Sequence, residues 1–331
     1  MPADAPRTVL VTGAAGYIGS RLVPRLLADG WRVRVLTRDA LKVAPRAWHG
    51  KVEVVEGDAA MRITLDRALE GIEVAYYLLH SMDGKAGFVE RDADLARRFG
   101  VAAERAGVAR MIYLSGLHPS GTTLSEHLAS RVEVGDLLLS SGVPTAVLQA
   151  AVILGSGSAS FEMLRHLTHR LPVMVTPKWL DNRMQPIAVR DVLHYLIAAI
   201  DLPPEVNRTF DIGGPEVLTY REMIERFAKI AGLRDRVIAT VPVSTPQLAS
   251  HWVGFVTPVP TAIARPLIGS LMHEAICHER DLDELVGPPA GGPLSYDQAV
   301  RDALVGAGQR PEPGTVDPAR LNAADPEWAG R

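Results

Sequence analysis

The sequence predicts an α/β fold, a doubly wound parallel sheet with a smaller C-terminal subdomain. Three observations carry this. Short β-rich runs alternate with helical stretches through the first 154 residues, several of the runs are almost continuously apolar, and a glycine-rich turn joins the first run to the first helix. Strand–helix alternation builds βαβ units. Strands that lack polar alternation are the ones buried on both faces, so helices are expected on both sides of the sheet.

The elements follow in order. TVLVTG (8–13), RVRVLTR (32–38), VEVVEGD (52–58), VAYYLLH (74–80), RMIYLSG (110–116) and PTAVLQAAVIL (144–154) are the strand candidates. Between them, GYIGSRLVPRLLADG, MRITLDRALEG, FVERDADLARRFGVAAERAG and SEHLASRVEVGDLLLSSG place apolar residues at helical spacing, and each closes on a glycine. Tyr76 and Tyr77 are adjacent in a strand, so they point to opposite faces, and both are expected in the core. Beyond residue 154 the pattern loosens. SFEMLRHLTHRL reads as a helix, PVMVTPKW as a loop or short strand, and VRDVLHYLIAAI as a helix returning to the core. RTFDIGGPEVLTYREMIERFAKIAG reads as strand, turn and helix, with Thr219 and Glu222 at capping-box spacing. From about 306 the chain is rich in Gly, Pro, Ala and charge, and reads as a mobile tail.

Composition narrows the function classes. A net charge of −3 leaves no broad basic surface for nucleic acid. The one cysteine, Cys277, rules out an internal disulfide framework and a cysteine zinc site, and fits a cytoplasmic location. The N-terminus lacks a secretory pattern, and no run reaches the ~18 apolar residues of a membrane span. Residues 237–264 contain no Asp, Glu, Lys or Arg but include four prolines. They are expected to form an irregular buried or lid-like segment, with membrane-surface association as the alternative.

TGAAGYIGSRL is the chemically informative stretch. Gly13, Gly16 and Gly19 follow a strand and open a helix, with Ala15, Tyr17 and Ile18 between them. Such a turn brings backbone N–H groups and a helix N-terminus to a pyrophosphate. The expected ligand is a dinucleotide on a Rossmann core. VLTRDA ends the second strand; Arg38, with Thr37, Arg34 or Lys42, would favour the 2′-phosphate of NADP, while Asp39 keeps NAD open. Asp58 is placed for the adenine, and Leu79 and His80 for the cofactor ribose. The expected organisation is a cofactor-binding core at 1–154, a substrate-binding part at 155–305 that partly returns to the core at about 183–215, and the tail at 306–331.

Together with GD at 57–58, YLSG at 113–116, RMQPIAVRDV at 183–192 and FDIGGPEVLTY at 210–220, the glycine motif resembles the short-chain dehydrogenase/reductase superfamily. The resemblance is to its extended and atypical branches, the NmrA-like NAD(P)H-binding proteins related to nucleotide-sugar epimerases. It implies hydride transfer at the nicotinamide, with a Ser that orients the substrate oxygen, a Tyr that moves a proton and a Lys four residues on. Ser115 falls at the Ser position. The helix aligns with HLASR, so His127 stands at the Tyr position and Arg131 at the Lys position. Arg131 stays protonated and can hold a ribose hydroxyl but cannot act as a base. Imidazole can move protons near neutrality, so His127 or His118 is the expected proton carrier.

Gln149, Ser158 and Ser160 are the candidate substrate contacts, the serines at a helix start that could also receive an anion. Met163, Met174, Trp179, Met184, Trp252 and Phe255 point to an apolar small-molecule substrate. No metal site is expected, because the histidines are scattered. The expected function is an NADP(H)-dependent oxidoreductase acting on a carbonyl or enone. A non-catalytic redox-sensing or assembly protein and an epimerase or isomerase are the alternatives. A homodimer through the helices flanking the central strands is a further expectation.

Overall fold

A computed structural model describes residues 7–80, 87–119, 121, 123–241, 257–305, 317–322 and 324–330. Strands β1 (Thr8–Thr12), β2 (Arg32–Thr37), β3 (Glu53–Glu56), β4 (Val74–Tyr77), β5 (Arg110–Gly116), β6 (Thr145–Ala150) and β11 (Arg208–Ile212) form one seven-stranded sheet. Every pairing in it is parallel, in the order β11-β6-β5-β4-β1-β2-β3. The chain winds outward from β1 to β3 and then crosses to β4. The strand order reverses between β1 and β4, and a crevice opens there at the carboxyl ends of the strands.

Helices α1 (Tyr17–Ala28), α2 (Arg62–Leu69), α3 (Phe88–Ala106) and α4 (Glu126–Leu139) cover the sheet. One face buries Val9, Val11, Leu22, Tyr76 and Leu148; the other buries Leu10, Tyr77, Phe99 and Tyr113. The two tyrosines of β4 do take opposite faces. Tyr76 donates to the Leu196 carbonyl at 2.9 Å, and Tyr77 meets Phe99 and Tyr113 edge-on.

The candidate strand 144–154 is in fact two. After β6 the chain leaves the sheet at Ala151–Val152 and forms β7 (Ile153–Leu154), which pairs with β10 (Ile187–Ala188) instead. The second half then builds α5 (Ala159–Arg170), β8 (Val173–Pro177) and β9 (Arg183–Met184). It returns through α6 (Val189–Ala198) to β11, which completes the main sheet. β12 (Leu218–Thr219), α7 (Tyr220–Ile230) and β13 (Val237–Val241) follow, then α8 (Thr261–Leu271), α9 (Asp281–Val286) and α10 (Tyr296–Leu304). The Thr219–Glu222 capping box is formed as expected. Phe161, Met163, Met184, Tyr220, Phe227 and Tyr296 make this half's own apolar cluster. β8 and β13 pair in parallel, and their outward face is apolar: Val173, Val175 and Val237 are each about 60 % exposed (59, 62 and 61 %).

Residues 317–322 and 324–330 do not match the expected mobile tail. The Ser156 N–H donates to the Ala319 carbonyl at 2.8 Å, and the Arg21 guanidinium donates to Pro318 and Arg320 carbonyls. Asp325 pairs with Arg21 at 2.6 Å, both side chains under 5 % exposed (2 and 4 %). A buried ion pair with carbonyl acceptors around it outweighs the polar composition of the segment. Most of the charge-free segment, 242–256 with Trp252 and Phe255, lies outside the described residues. No helix among the described residues is long and apolar enough to cross a membrane.

Candidate active site

The glycine turn sits at the strand-order reversal. Gly13 has φ +67°, and a Cβ there would lie 2.4 Å from the carbonyl of Leu78, the residue that follows β4. A Cβ on Gly19 would lie 2.4 Å from the Gly13 carbonyl. These two glycines are required by packing. Gly16 is different: it is exposed, and a Cβ there meets only the Gly13 carbonyl, at 3.2 Å. Its bare face opens toward the cleft. It is also the N-cap of α1, without a side-chain cap and without an acid in the first turn. That leaves first-turn N–H groups without a protein acceptor, the arrangement that receives a phosphate.

Beside the turn lies a cation that sequence reasoning missed. Arg46 is 6 % exposed and donates from Nη2 to the Ala15 carbonyl at 2.9 Å. Its buried Nε and Nη1 have no hydrogen-bond acceptor. The nearest carboxylate, Asp325, stands 3.6 Å from Nη1 and is already bound to both terminal nitrogens of Arg21. Arg46 therefore brings unused donors to the glycine turn. The turn, the bare helix end and Arg46 together fit a dinucleotide pyrophosphate.

The adenine-side residues lie at the ends of β2 and β3. Arg38 is exposed and makes no ion pair among the described residues. The Thr37 hydroxyl donates to the Asp39 carbonyl at 3.0 Å, and the Asp39 carboxylate caps the Leu41 N–H at 3.0 Å. Asp58 is exposed and accepts from the Ala60 N–H. Arg34 is unsuited to a 2′-phosphate: it pairs with Glu53 and donates to carbonyls at the end of α2.

A cleft of about 420 Å³ runs from the glycine turn into the second half. Gly13, Ala15, Gly16, Tyr17, Ile18 and Gly19 line it at one end, and His80, Ser115, His127 and Arg131 line its middle. His127 and Arg131, one helical turn apart on α4, both line this cleft. The clamp between β5 and α4 sets their position. Ser115 Oγ and Tyr113 Oη each donate to the Arg131 carbonyl at 3.3 Å. The Arg131 guanidinium donates back to the Leu114 carbonyl and lies 5.0 Å above the Tyr113 ring. The Ser125 cap at the start of α4 accepts from the Leu128 N–H, and its own N–H donates to His273.

The two cleft histidines are electrostatically unusual. Their rings meet edge-on at 6.4 Å. Burial, then Arg131, then His80 hold His127 down to about 3. His80 is open to the cleft, but the low-dielectric walls around it and Arg131 hold it down to about 4. Both are neutral imidazoles at pH 7, so an imidazolium form of His127 is scarcely populated there.

Several expected contacts fall outside the cleft wall. His118 Nδ1 is 3.3 Å from the Pro119 carbonyl and its Nε2 is 3.2 Å from Gln149 Nε2. One tautomer satisfies both contacts, which engages both ring nitrogens of His118 and one of the two amide N–H groups of Gln149. Leu79 packs with the core and Leu78 faces the cleft in its place. Ser158 and Ser160 do line the cleft. Ser158 Oγ, however, caps the Phe161 N–H and donates to the Ile153 carbonyl. The buried Glu162 carboxylate accepts from the Gly157 N–H at 2.9 Å, so the start of α5 already holds its own anion.

A family model described as "NmrA-like family" matches residues 6–252. The chain belongs to the NmrA-like family. Among its relatives, a ceramide reductase of Caulobacter vibrioides is 31 % identical over 240 residues, 72 % of this chain and 75 % of that protein. A (4-alkanoyl-5-oxo-2,5-dihydrofuran-3-yl)methyl phosphate reductase of Streptomyces griseus subsp. griseus is 27 % identical over 231 residues, 68 % and 74 % of the two chains. Among solved structures, the Citrobacter sp. triphenylmethane reductase complexed with NADP(H) superposes with a TM-score of 0.69 at 20 % identity. It covers 90 % of this chain and 100 % of that one. In this NmrA-like chain the cleft also includes Asp325, Pro326 and Trp328. The one sequence signal for them was a tryptophan inside an otherwise polar tail.

Proposed function

We propose that the protein is an NADP(H)-dependent reductase of apolar molecules carrying a conjugated acceptor, an enone or quinone, rather than a saturated ketone. The glycine turn, Gly16, the α1 N-terminus and Arg46 would hold the pyrophosphate, and Arg38 the 2′-phosphate. Bound NADPH would supply a hydride.

One observation carries the choice of acceptor. Among the described residues lining the cleft, no group is a strong proton donor at neutral pH. His80 and His127 are neutral, Arg131 does not release its proton, and Asp325 is held by Arg21. Burial raises Tyr17 and Tyr220 far above an ordinary phenol. Reduction of a saturated ketone leaves an alkoxide, a strong base that needs a proton as it forms. A conjugated acceptor leaves an enolate or phenolate, a far weaker base. Hydrogen bonds from a neutral His127 N–H and the fixed charge of Arg131 suffice to stabilise it. Ser115, tied to the Arg131 carbonyl, keeps that guanidinium in place. Solvent delivers the last proton after the carbon has been reduced. The apolar walls contributed by Met163, Met184, Leu267 and Leu271 suit an apolar substrate body.

The test compares matched enones and quinones with their saturated ketones in an NADPH-oxidation assay. Conjugated acceptors should be favoured by at least about a hundredfold in kcat/KM, and His127→Ala should lower their kcat by roughly 10- to 100-fold. Equal turnover of saturated ketones would overturn the reading. A second reading, a non-catalytic NADP(H)-binding protein, is favoured by the engagement of the Ser115 hydroxyl with protein. It predicts NADPH binding with no turnover of any acceptor.

A further inference from the structure

Six of the seven tyrosines show a contrast in how their hydroxyls are paired. Tyr76, Tyr113, Tyr195 and Tyr296 each donate to a carbonyl or carboxylate of the protein. The hydroxyls of Tyr17 and Tyr220 are buried without a hydrogen-bond partner, and these are two tyrosines that line the cleft. Natural interiors leave few buried polar atoms unpaired, and those left so call for a reason.

Tyr17 stands at the glycine turn, with the Arg21 guanidinium 3.9 Å above its ring. Tyr220 stands at the other end. It is the first residue of α7, held there by the Thr219–Glu222 capping box, and is 2 % exposed. Around it the cleft is walled by Met163, Met184, Ile263, Leu267 and Leu271. On that wall the Ser270 hydroxyl donates to the Pro266 carbonyl at 3.1 Å and is not offered to Tyr220. A lone water would find too few partners beside Tyr220 to be well held. An apolar ligand alone would leave the phenol unpaired.

We propose that Tyr220 is a substrate-recognition residue: the substrate is an elongated apolar molecule with a second oxygen, remote from the carbon that is reduced, which hydrogen-bonds to Tyr220 Oη. The class is a hydroxylated or oxygenated lipid-like molecule rather than a plain hydrocarbon chain or ring system. The proposal rests on the reductase reading for the other end of the substrate. It adds a fixed separation between two polar groups, and so a length preference.

The test uses long-chain 3-alken-2-ones of 8 to 16 carbons, with and without a terminal hydroxyl. Their binding to the full-length protein saturated with NADP⁺ is measured by calorimetry, so that no turnover is needed. At one chain length the hydroxylated compound should bind roughly tenfold tighter than its parent. Tyr220→Phe should abolish that difference and bind the parent as well as the wild type does. The ligand-free Tyr220→Phe protein should melt no lower than the wild type, because the substitution removes an unpaired buried hydroxyl. The subsite is overturned if no length shows a hydroxyl preference, if none of the series binds, if the preference survives in Tyr220→Phe, or if Tyr220→Phe melts lower. Hydroxyl preference without NADPH turnover would sink the reductase reading and keep the subsite. Turnover without hydroxyl preference would do the reverse.

Discussion

Asp325→Asn should be among the most damaging single-atom-scale changes in the protein. Asp325 accepts from Arg21 Nη1 at 3.1 Å and Nη2 at 2.6 Å, and lies 3.6 Å from Arg46 Nη1. All three side chains are 2–4 % exposed. The amide removes the only carboxylate paired with these two guanidiniums among the described residues and turns an N–H toward Arg donors. Breaking one partner of a buried ion pair costs about 3–5 kcal/mol. Arg21 keeps its carbonyl acceptors on Pro318, Ser156 and Arg320, which places the loss near 3 kcal/mol. For a domain this large, about 2 °C per kcal/mol gives a fall of roughly 6 °C in Tm. The loss should change little between low and high salt, because the pair is shielded from ions. Thermal unfolding followed by circular dichroism measures it. In the double variant Arg21→Met/Asp325→Leu, one charge pair is replaced by apolar groups, and it should recover part of the loss. A fall below 1 °C for Asp325→Asn, or an additive double variant, would refute the argument that the pair anchors 317–330.

Two further predictions concern the phosphate turn and the buried histidines. Gly16→Ala and Arg46→Ala should each weaken NADPH binding at least about tenfold, read by cofactor fluorescence. Gly16→Ala should leave Tm almost unchanged, whereas Gly13→Ala should lower both, since its Cβ meets the Leu78 backbone; a Gly16→Ala protein with normal affinity would remove the phosphate role. The second prediction is acid sensitivity. His127 and His166, held down to about 3 by burial and then neighbouring arginines, ionise in the unfolded chain near 6.5. Their neutral folded forms contribute stability in full above pH 6.5. That contribution declines as pH falls toward 3, by up to about 1.4 kcal/mol per pH unit per histidine. Tm measured from pH 7 to pH 4 should fall less steeply in His127→Asn, and an unchanged slope would contradict the assignment.

The parallel sheet and the glycine turn were legible because each depends on short-range rules. Strand burial shows as continuous apolar runs, and Gly13 and Gly19 mark a turn that tolerates no Cβ. His127 and Arg131 were legible as a pair because helical spacing alone carries both to one face. What was not legible depends on contacts across long separations. Arg46 looked like any loop arginine, and nothing local shows that its guanidinium would be buried beside Ala15. Asp325 lies 304 residues from Arg21, in a segment whose composition argues for disorder. Ser158 and Glu162 illustrate the opposite failure: the helix start was recognised, but the carboxylate that fills it comes from the first turn of the same helix. His118 was close in the chain to the site yet paired with Gln149.

The path of the chain constrains how this cleft can move. Residues 1–154 and 155–305 are not two lobes joined by one linker. The chain leaves the sheet after β6, returns through α6 to β11, leaves again at β12, and returns with Leu282 of α9 packed in the first core. A further crossing ties Ser156 and Arg21 to residues 318–325. A part tethered at so many points has several connections to carry in any hinge motion, not one. The helices of the second half are thus seated on the cofactor core from several separate points of the described chain, which sets this cleft apart from one between two lobes joined by a single connection.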